Sequence, residues 1–242
     1  MGKRICLIAA IDDHSRKPLA GRFAEHDTTW ENMCVLREIV ETYGVFEALY
    51  TDNDSKFKYI RRNDSLYFTY KKEPDEVKPQ VRQALNELGI RVINHRVNAP
   101  YQKGKVERLF GYLQDRLINE FRIYGIKTID EANEYLRKWL RKHSSKHVHA
   151  TTGMIPDERF KNSCFRPLPP NVNLDDIFCL RATRVVRKDN TFSYNGRVFQ
   201  LIGTIGRPNF AGTRVSLHII PRKRIRVFYN GKLLQEFPYD GE

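Results

Sequence analysis

Residues 98–121, NAPYQKGKVERLFGYLQDRLINEF, constrain the fold more than any other stretch of the chain. Pro100 and Gly104 punctuate its start, and no proline follows until Pro156. Val106, Leu109, Phe110, Leu113, Leu117 and Phe121 recur at helical spacing and form one apolar stripe. The spacing predicts a long helix that must bury that stripe against another layer. Glu107 sits beside the stripe, Gly111 keeps the surface above it open, and Gln114 follows on the same side. Lys103, Lys105 and Arg108 surround the carboxylate, and Arg116 continues the cationic side. A lone acid in a basic, polar first turn suits a metal ligand facing nucleic acid. The plainer reading is a first-turn Glu that favours the helix dipole.

The chain before this helix reads as α/β. Residues 5–11 are continuously apolar and predict a buried strand. Asp12 to Lys17 form a turn, and residues 18–23 return as a second strand of a hairpin. Asp27-Thr28-Thr29 starts a helix that Gly44 ends. Residues 48–51 are a short strand leading into Asp52. An acid at the C-terminal end of a buried strand is a common ligand position in α/β folds. Residues 58–78 have mixed charge and no period, and read as a partly ordered insertion. Within it, Tyr67, Phe68 and Tyr70 suit packing better than DNA contact. A helix over 80–88 and a strand over 91–94 come next. After the Glu107 helix, another spans 128–142, acidic at its start and basic at its end. His143, His147 and His149 then fall in a Ser/Lys/Thr-rich stretch. It reads as a solvated, DNA-facing linker rather than a metal site, because no carboxylate or cysteine completes a ligand set.

Two of these stretches, ALYTDNDSKF at 48–57 and PYQKGKVERLFGYLQDRL at 100–117, together resemble the DDE integrase and transposase superfamily. The likeness is nearest to bacterial insertion-sequence transposases. It implies a ribonuclease H-like α/β core in which Asp52 is the second catalytic acid and Glu107 the third, both metal ligands. Asp52 and Glu107 are further apart than is usual in the family, and the 58–78 insertion accounts for the excess.

The last third is strand-rich. Residues 185–188, 191–194, 197–202, 214–220, 224–229 and 232–237 alternate or run apolar. Asp189-Asn190, Asn195-Gly196 and Asn230-Gly231 lie between them as hairpin turns. A small barrel is expected, similar to the SH3-like C-terminal domain that follows some transposase cores, including that of bacteriophage Mu. The expected organisation is therefore a core over 1–163, a proline-rich linker over 164–175 and a barrel over 176–242. Arg181, Arg184, Arg187, Arg207, Arg214, Arg222, Lys223, Arg224 and Arg226 make the barrel basic, and Arg222, Lys223 and Arg224 are its DNA-binding candidates.

Lys and Arg exceed Asp and Glu by 42 − 29 = 13, which favours a polyanion such as DNA as partner. No apolar run approaches the roughly 18 residues of a membrane span. Only seven apolar residues follow the basic start, too few for a signal peptide, so a cytoplasmic, nucleoid-associated protein without a membrane partner is expected. Cys6, Cys34, Cys164 and Cys179 are scattered and read as reduced core residues.

The resemblance implies phosphodiester hydrolysis followed by strand transfer between transposon ends and target DNA, with self-association or a full-length transposase as protein partner. It implies two Mg²⁺ or Mn²⁺ ions, hard cations that take carboxylate oxygen. The first acid of the family lies on a core strand just before the one at 5–11, so the core is expected to lack its first, central strand. Asp12 and Asp13 are unsuitable replacements, because their turn should face the edge of the sheet opposite the site. The isolated chain is therefore expected to lack strand-transfer activity. Two alternatives are a DNA-binding remnant that interferes with a full-length transposase and, less well supported given the barrel, a ribonuclease H-type hydrolase.

Overall fold

The computed structural model describes residues 5–51, 57, 79–94, 104–203 and 207–241. It divides into two compact units, Met1–Val172 and Asn173–Glu242. The 58–78 insertion and its aromatic residues lie outside the described residues.

In the first unit, β1 (Cys6–Ile11) and β2 (Pro18–Ala24) form an antiparallel hairpin. Its turn is tied by Asp12, whose carboxylate accepts hydrogen bonds from the Ser15 backbone at 2.7 Å and the Ser15 hydroxyl at 2.6 Å. Leu7, Ala9 and Ile11 face one apolar cluster while Ile8 and Ala10 face another. Cover on both faces explains why this strand is continuously apolar rather than alternating. α1 (Thr29–Tyr43) is capped by Thr28, whose hydroxyl accepts from the Glu31 N–H at 3.2 Å. It stops at Gly44, where φ is +101°. A Cβ at Gly44 would come within 2.5 Å of the Arg166 carbonyl oxygen, so both backbone angle and space require glycine there.

β3 (Ala48–Thr51) runs parallel to β4 (Arg91–Asn94), with Thr51 beside Asn94. α2 (Gln80–Glu87), which buries Val81, Ala84 and Leu85, precedes β4. The hairpin and the parallel pair are separate two-stranded sheets. Among the described residues no strand joins β1 to β3.

α3 (Gly104–Ile123) buries Leu109, Leu113 and Leu117, the centre of the predicted stripe. α4 (Ile129–Lys146) packs beside it through Ala132, Leu136 and Leu140, and β1 and Phe23 complete the cluster. The start of α4 is fixed by a capping box: Thr128 accepts from the Glu131 N–H, and the Glu131 carboxylate accepts from the Thr128 N–H at 3.0 Å. Gly21 lets α4 approach β2 closely, because a Cβ there would sit 3.2 Å from Leu136 Cδ2. Asn133 clasps the neighbouring β2 backbone, accepting from the Phe23 N–H at 2.6 Å and donating to its carbonyl at 3.0 Å. Two backbone groups that would otherwise stand open are thereby satisfied.

The proline-rich stretch is not free chain. Arg166 and Val45 exchange backbone hydrogen bonds at 2.8 Å, the Arg166 guanidinium donates to the Leu88 carbonyl, and the Phe165 ring meets Tyr43 and Phe160. The boundary falls after Val172, later than the expected end of the core at 163. Cys164 lies in this stretch and is exposed, contrary to the expected core position, whereas Cys179 is buried.

α5 (Pro156–Arg159) is the last α-helix of the first unit, and the second unit opens with the single turn α6 (Leu174–Ile177). β5 (Leu180–Val185), β8 (Arg214–Ile220), β9 (Arg224–Tyr229) and β10 (Lys232–Pro238) form a sheet in the order β10-β9-β8-β5. β6 (Thr191–Tyr194) and β7 (Arg197–Gln200) form a separate hairpin. Phe192, Phe199, Leu201, Val215, Leu217 and Val227 are among the side chains of one shared core. Asn195-Gly196 and Asn230-Gly231 all have positive φ, as two-residue hairpin turns require. The first strand differs from expectation: it covers 180–185 rather than 185–188. Arg181 and Arg184 break the apolar pattern there, yet the strand pairs with β8 along its whole length.

Candidate metal and nucleic-acid site

β3 and β4 are parallel, so Thr51 and Asn94 end at the same edge of their sheet. Asp52 is the residue immediately after Thr51 and lies outside the described residues, as does Lys103. Residues 95–103 connect the same edge to α3, whose first turn carries Glu107. In sequence, Asp52 follows the end of β3 directly, and Glu107 lies in the first turn of the helix that comes after β4.

Glu107 is exposed and has no hydrogen-bond or ion-pair partner among the described residues. Nothing lies within 4 Å of a Cβ built on Gly111, so the surface one turn on is open. The neighbouring cations are arranged unequally. Lys105 is ion-paired with Asp13. Arg108 is exposed and makes one long hydrogen bond, 3.4 Å, to the Thr151 hydroxyl. Arg116 lies over the Tyr112 ring, 5.7 Å from its centroid. The Lys105 pair corrects one expectation. The turn after β1 does not stand away from the Glu107 helix but reaches its first turn, because α3 lies along the β1 face through Leu109 and Leu113. Asp13 there compensates a cation and Asp12 holds the turn, so both acids have structural work.

Arg222, Lys223 and Arg224 stand together at the β8–β9 turn, where Arg222 has φ +57°. Their charge is partly compensated within the unit. Arg224 pairs with Asp175 and, at 3.2 Å, with Glu236, and Lys223 lies 3.6 Å from Asp175. The hydrogen bond to Asp175 is the main reason that the Arg224 guanidinium is held above its ordinary pKa. Arg226, one of the residues that make the barrel basic, is buried and paired with Asp176 and Glu236.

The histidines differ from expectation. α4 continues to Lys146, so His143 is helical rather than part of a linker. The signal was present in sequence: Ser144 extends the buried row of Leu136 and Leu140, its hydroxyl donating to the Leu140 carbonyl at 2.8 Å. Trp139, His143 and His147 follow one another at helical spacing, and their rings stack. Burial first, then the charges of His147, His149 and Arg116, pushes His143 down to about 4. Among the described residues no group of three His, Cys, Asp or Glu side chains could hold a metal.

Residues 88–156, the segment containing Glu107, match the family described as Integrase core domain. The protein y4bF of Sinorhizobium fredii, named as a transposase, is 25% identical over 99% of this chain and 49% of its own length. Both matches, an integrase core and a transposase, are of the kind that the sequence resemblance pointed to. A second relative, the transposase for insertion sequence IS1202 of Streptococcus pneumoniae, is 29% identical over 78% of this chain and 37% of its own length. The chain therefore spans about half, or less, of the length of these relatives. A solved structure of the HTLV-2 integrase catalytic core domain in complex with magnesium is similar at 16% identity and TM-score 0.44, covering 65% of this chain and 85% of that one. The exposed acid of α3, Glu107, lies inside the segment that is similar to the integrase core.

Proposed function

We propose that this chain carries core elements of a DNA transposase that cuts and joins phosphodiester bonds, with Asp52 and Glu107 as two of its metal-binding acids. The observation that carries the reading is Glu107: exposed, unpaired among the described residues, set in a cationic first turn, and inside the segment that matches the integrase core. A carboxylate not already committed to a cation is what a hard divalent ion requires, so this residue fits Mg²⁺ or Mn²⁺. Two bound ions would activate the attacking oxygen and stabilise the leaving oxygen. Asp52 and Glu107 hold their carboxylates at the reacting phosphate, and Lys103, Lys105, Arg108 and Arg116 fix the DNA backbone without reading its sequence. Transposon ends and target DNA are the substrates in this reading, and the protein works with further copies of itself in the nucleoid.

The antiparallel β1–β2 hairpin and the parallel β3–β4 pair support a ribonuclease H-like core. The six strands around one core in Asn173–Glu242 support an SH3-like barrel that adds DNA affinity, with Arg222, Lys223 and Arg224 at one exposed turn. No helix among the described residues is long and apolar enough to cross a membrane.

Manganese EPR tests the acids without requiring turnover. The purified chain should bind Mn²⁺, and Asp52→Asn with Glu107→Gln should lose it while still retarding DNA in a gel. Unchanged Mn²⁺ binding in the double variant would overturn the assignment. The chain by itself should bind DNA without joining it. Mg²⁺-dependent joining by the 242-residue chain would overturn that expectation. DNA binding that is indifferent to both metal and acid substitutions would favour a non-catalytic DNA-binding protein.

A further inference from the structure

The outer side of α4 carries a column of flat rings. Trp139 and His143 stack with centroids 4.9 Å apart and planes 7° apart, and His143 and His147 stack at 4.6 Å and 26°. Tyr112 of α3 lies beside the column, 5.9, 5.0 and 5.4 Å from Trp139, His143 and His147. Trp139, His143 and Tyr112 are half-buried, whereas His147 is exposed. No ring among the described residues covers the far side of His147, so the column is filled at one end and open at the other. His143 stays neutral at ordinary pH, so the centre of the column is an uncharged π surface. Exposed cations surround it: Arg116 over Tyr112, Arg108 on the preceding turn of α3, and Lys142 and Lys146 on α4.

Two simpler roles fit poorly. Packing explains Trp139, which joins the α3–α4 cluster, but not an exposed imidazole continuing the stack beyond it. Chelation needs the ring nitrogens of His143 and His147 to converge on one point, whereas face-to-face rings hold their lone pairs in nearly parallel planes. Flat rings with an open face and a cationic rim match the general form of a single-strand stacking site. There bases lie on aromatic faces while Lys and Arg neutralise the flanking phosphates.

We propose that the Trp139–His143–His147 column is a stacking platform for a nucleobase outside a duplex, with His147 as the contact face. The proposal rests on the DNA reading above and adds to it a substrate feature, an unpaired base. Tyr112 is about 7.5 Å along the α3 axis from Glu107, five residues at the ordinary helical rise, so both lie on the same end of the helix.

Fluorescence anisotropy on two DNAs of equal length tests it. One is fully paired; the other carries a single unpaired 2-aminopurine, which reports stacking by quenching. The chain should prefer the second by about tenfold and quench it. His147→Ala should lose preference and quenching while keeping its affinity for paired DNA. His147→Phe, which retains a flat ring, should keep both. Equal affinity of the unsubstituted chain for the two DNAs, or a preference that survives His147→Ala, would overturn the platform alone. Failure to bind either DNA would instead remove the DNA reading and the platform with it.

Discussion

His143 shows how a single residue couples the fold to pH. Unfolded, its imidazole takes up a proton near pH 6.5; folded, burial delays this until about pH 4. Between those values the unfolded chain binds more protons, so stability falls as the pH drops through that window and is indifferent to this residue above it. Urea midpoints measured at pH 7 and pH 5 should therefore differ less in His143→Phe than in the unsubstituted chain; an equal difference would remove His143 as the cause. The sequence suggested the residue types but not this environment. Three histidines among serines and lysines look solvated until Ser144 is seen as a buried helix position, small enough to continue a stripe of leucines. The α3 helix that carries Glu107 was legible because its apolar stripe has a strong period. The pairing of Arg224 and Arg226 was not, because their partners Asp175 and Asp176 lie about fifty residues earlier and no local pattern connects them.

At the scale of elements, two boundaries are set by identifiable interactions. Thr128→Ala removes the hydroxyl half of the α4 capping box and should lower unfolding stability by about 1 kcal/mol. Gly44→Ala forces a left-handed alanine into the Arg166 carbonyl and should cost at least about 1 kcal/mol. Chemical denaturation checks both, and a neutral Gly44→Ala would mean that the Val45–Arg166 bridge is readily displaced. Most helices and the β6, β8 and β9 strands could be read from period and turn residues alone. β5 could not, since register with β8 rather than its own alternation makes it a strand. The boundary after Val172 falls within the expected 164–175 linker. Pro167, Pro169 and Pro170 mark a linker by composition, but the Phe165 ring and the Arg166 backbone just before them bind the first unit.

At the scale of the molecule, each unit has its own apolar core, and the second needs no side chain of the first to fill it. Residues 173–242 expressed alone should unfold cooperatively in denaturant, whereas a gradual, non-cooperative loss of signal would refute their independence. The first unit should behave differently, because β1 and β3 each have one edge unpaired among the described residues and such edges recruit other strands. Residues 1–172 alone should self-associate in light scattering at concentrations where 173–242 stays monomeric. The Asn133 clasp on Phe23 adds a consequence in time. The two residues are 110 positions apart, and at ordinary elongation rates of 5–20 residues per second that separation takes about 5–20 s to synthesise. Throughout that interval the nascent hairpin leaves the ribosome with its outer backbone uncovered, so the growing chain most needs a chaperone before α4 has been translated.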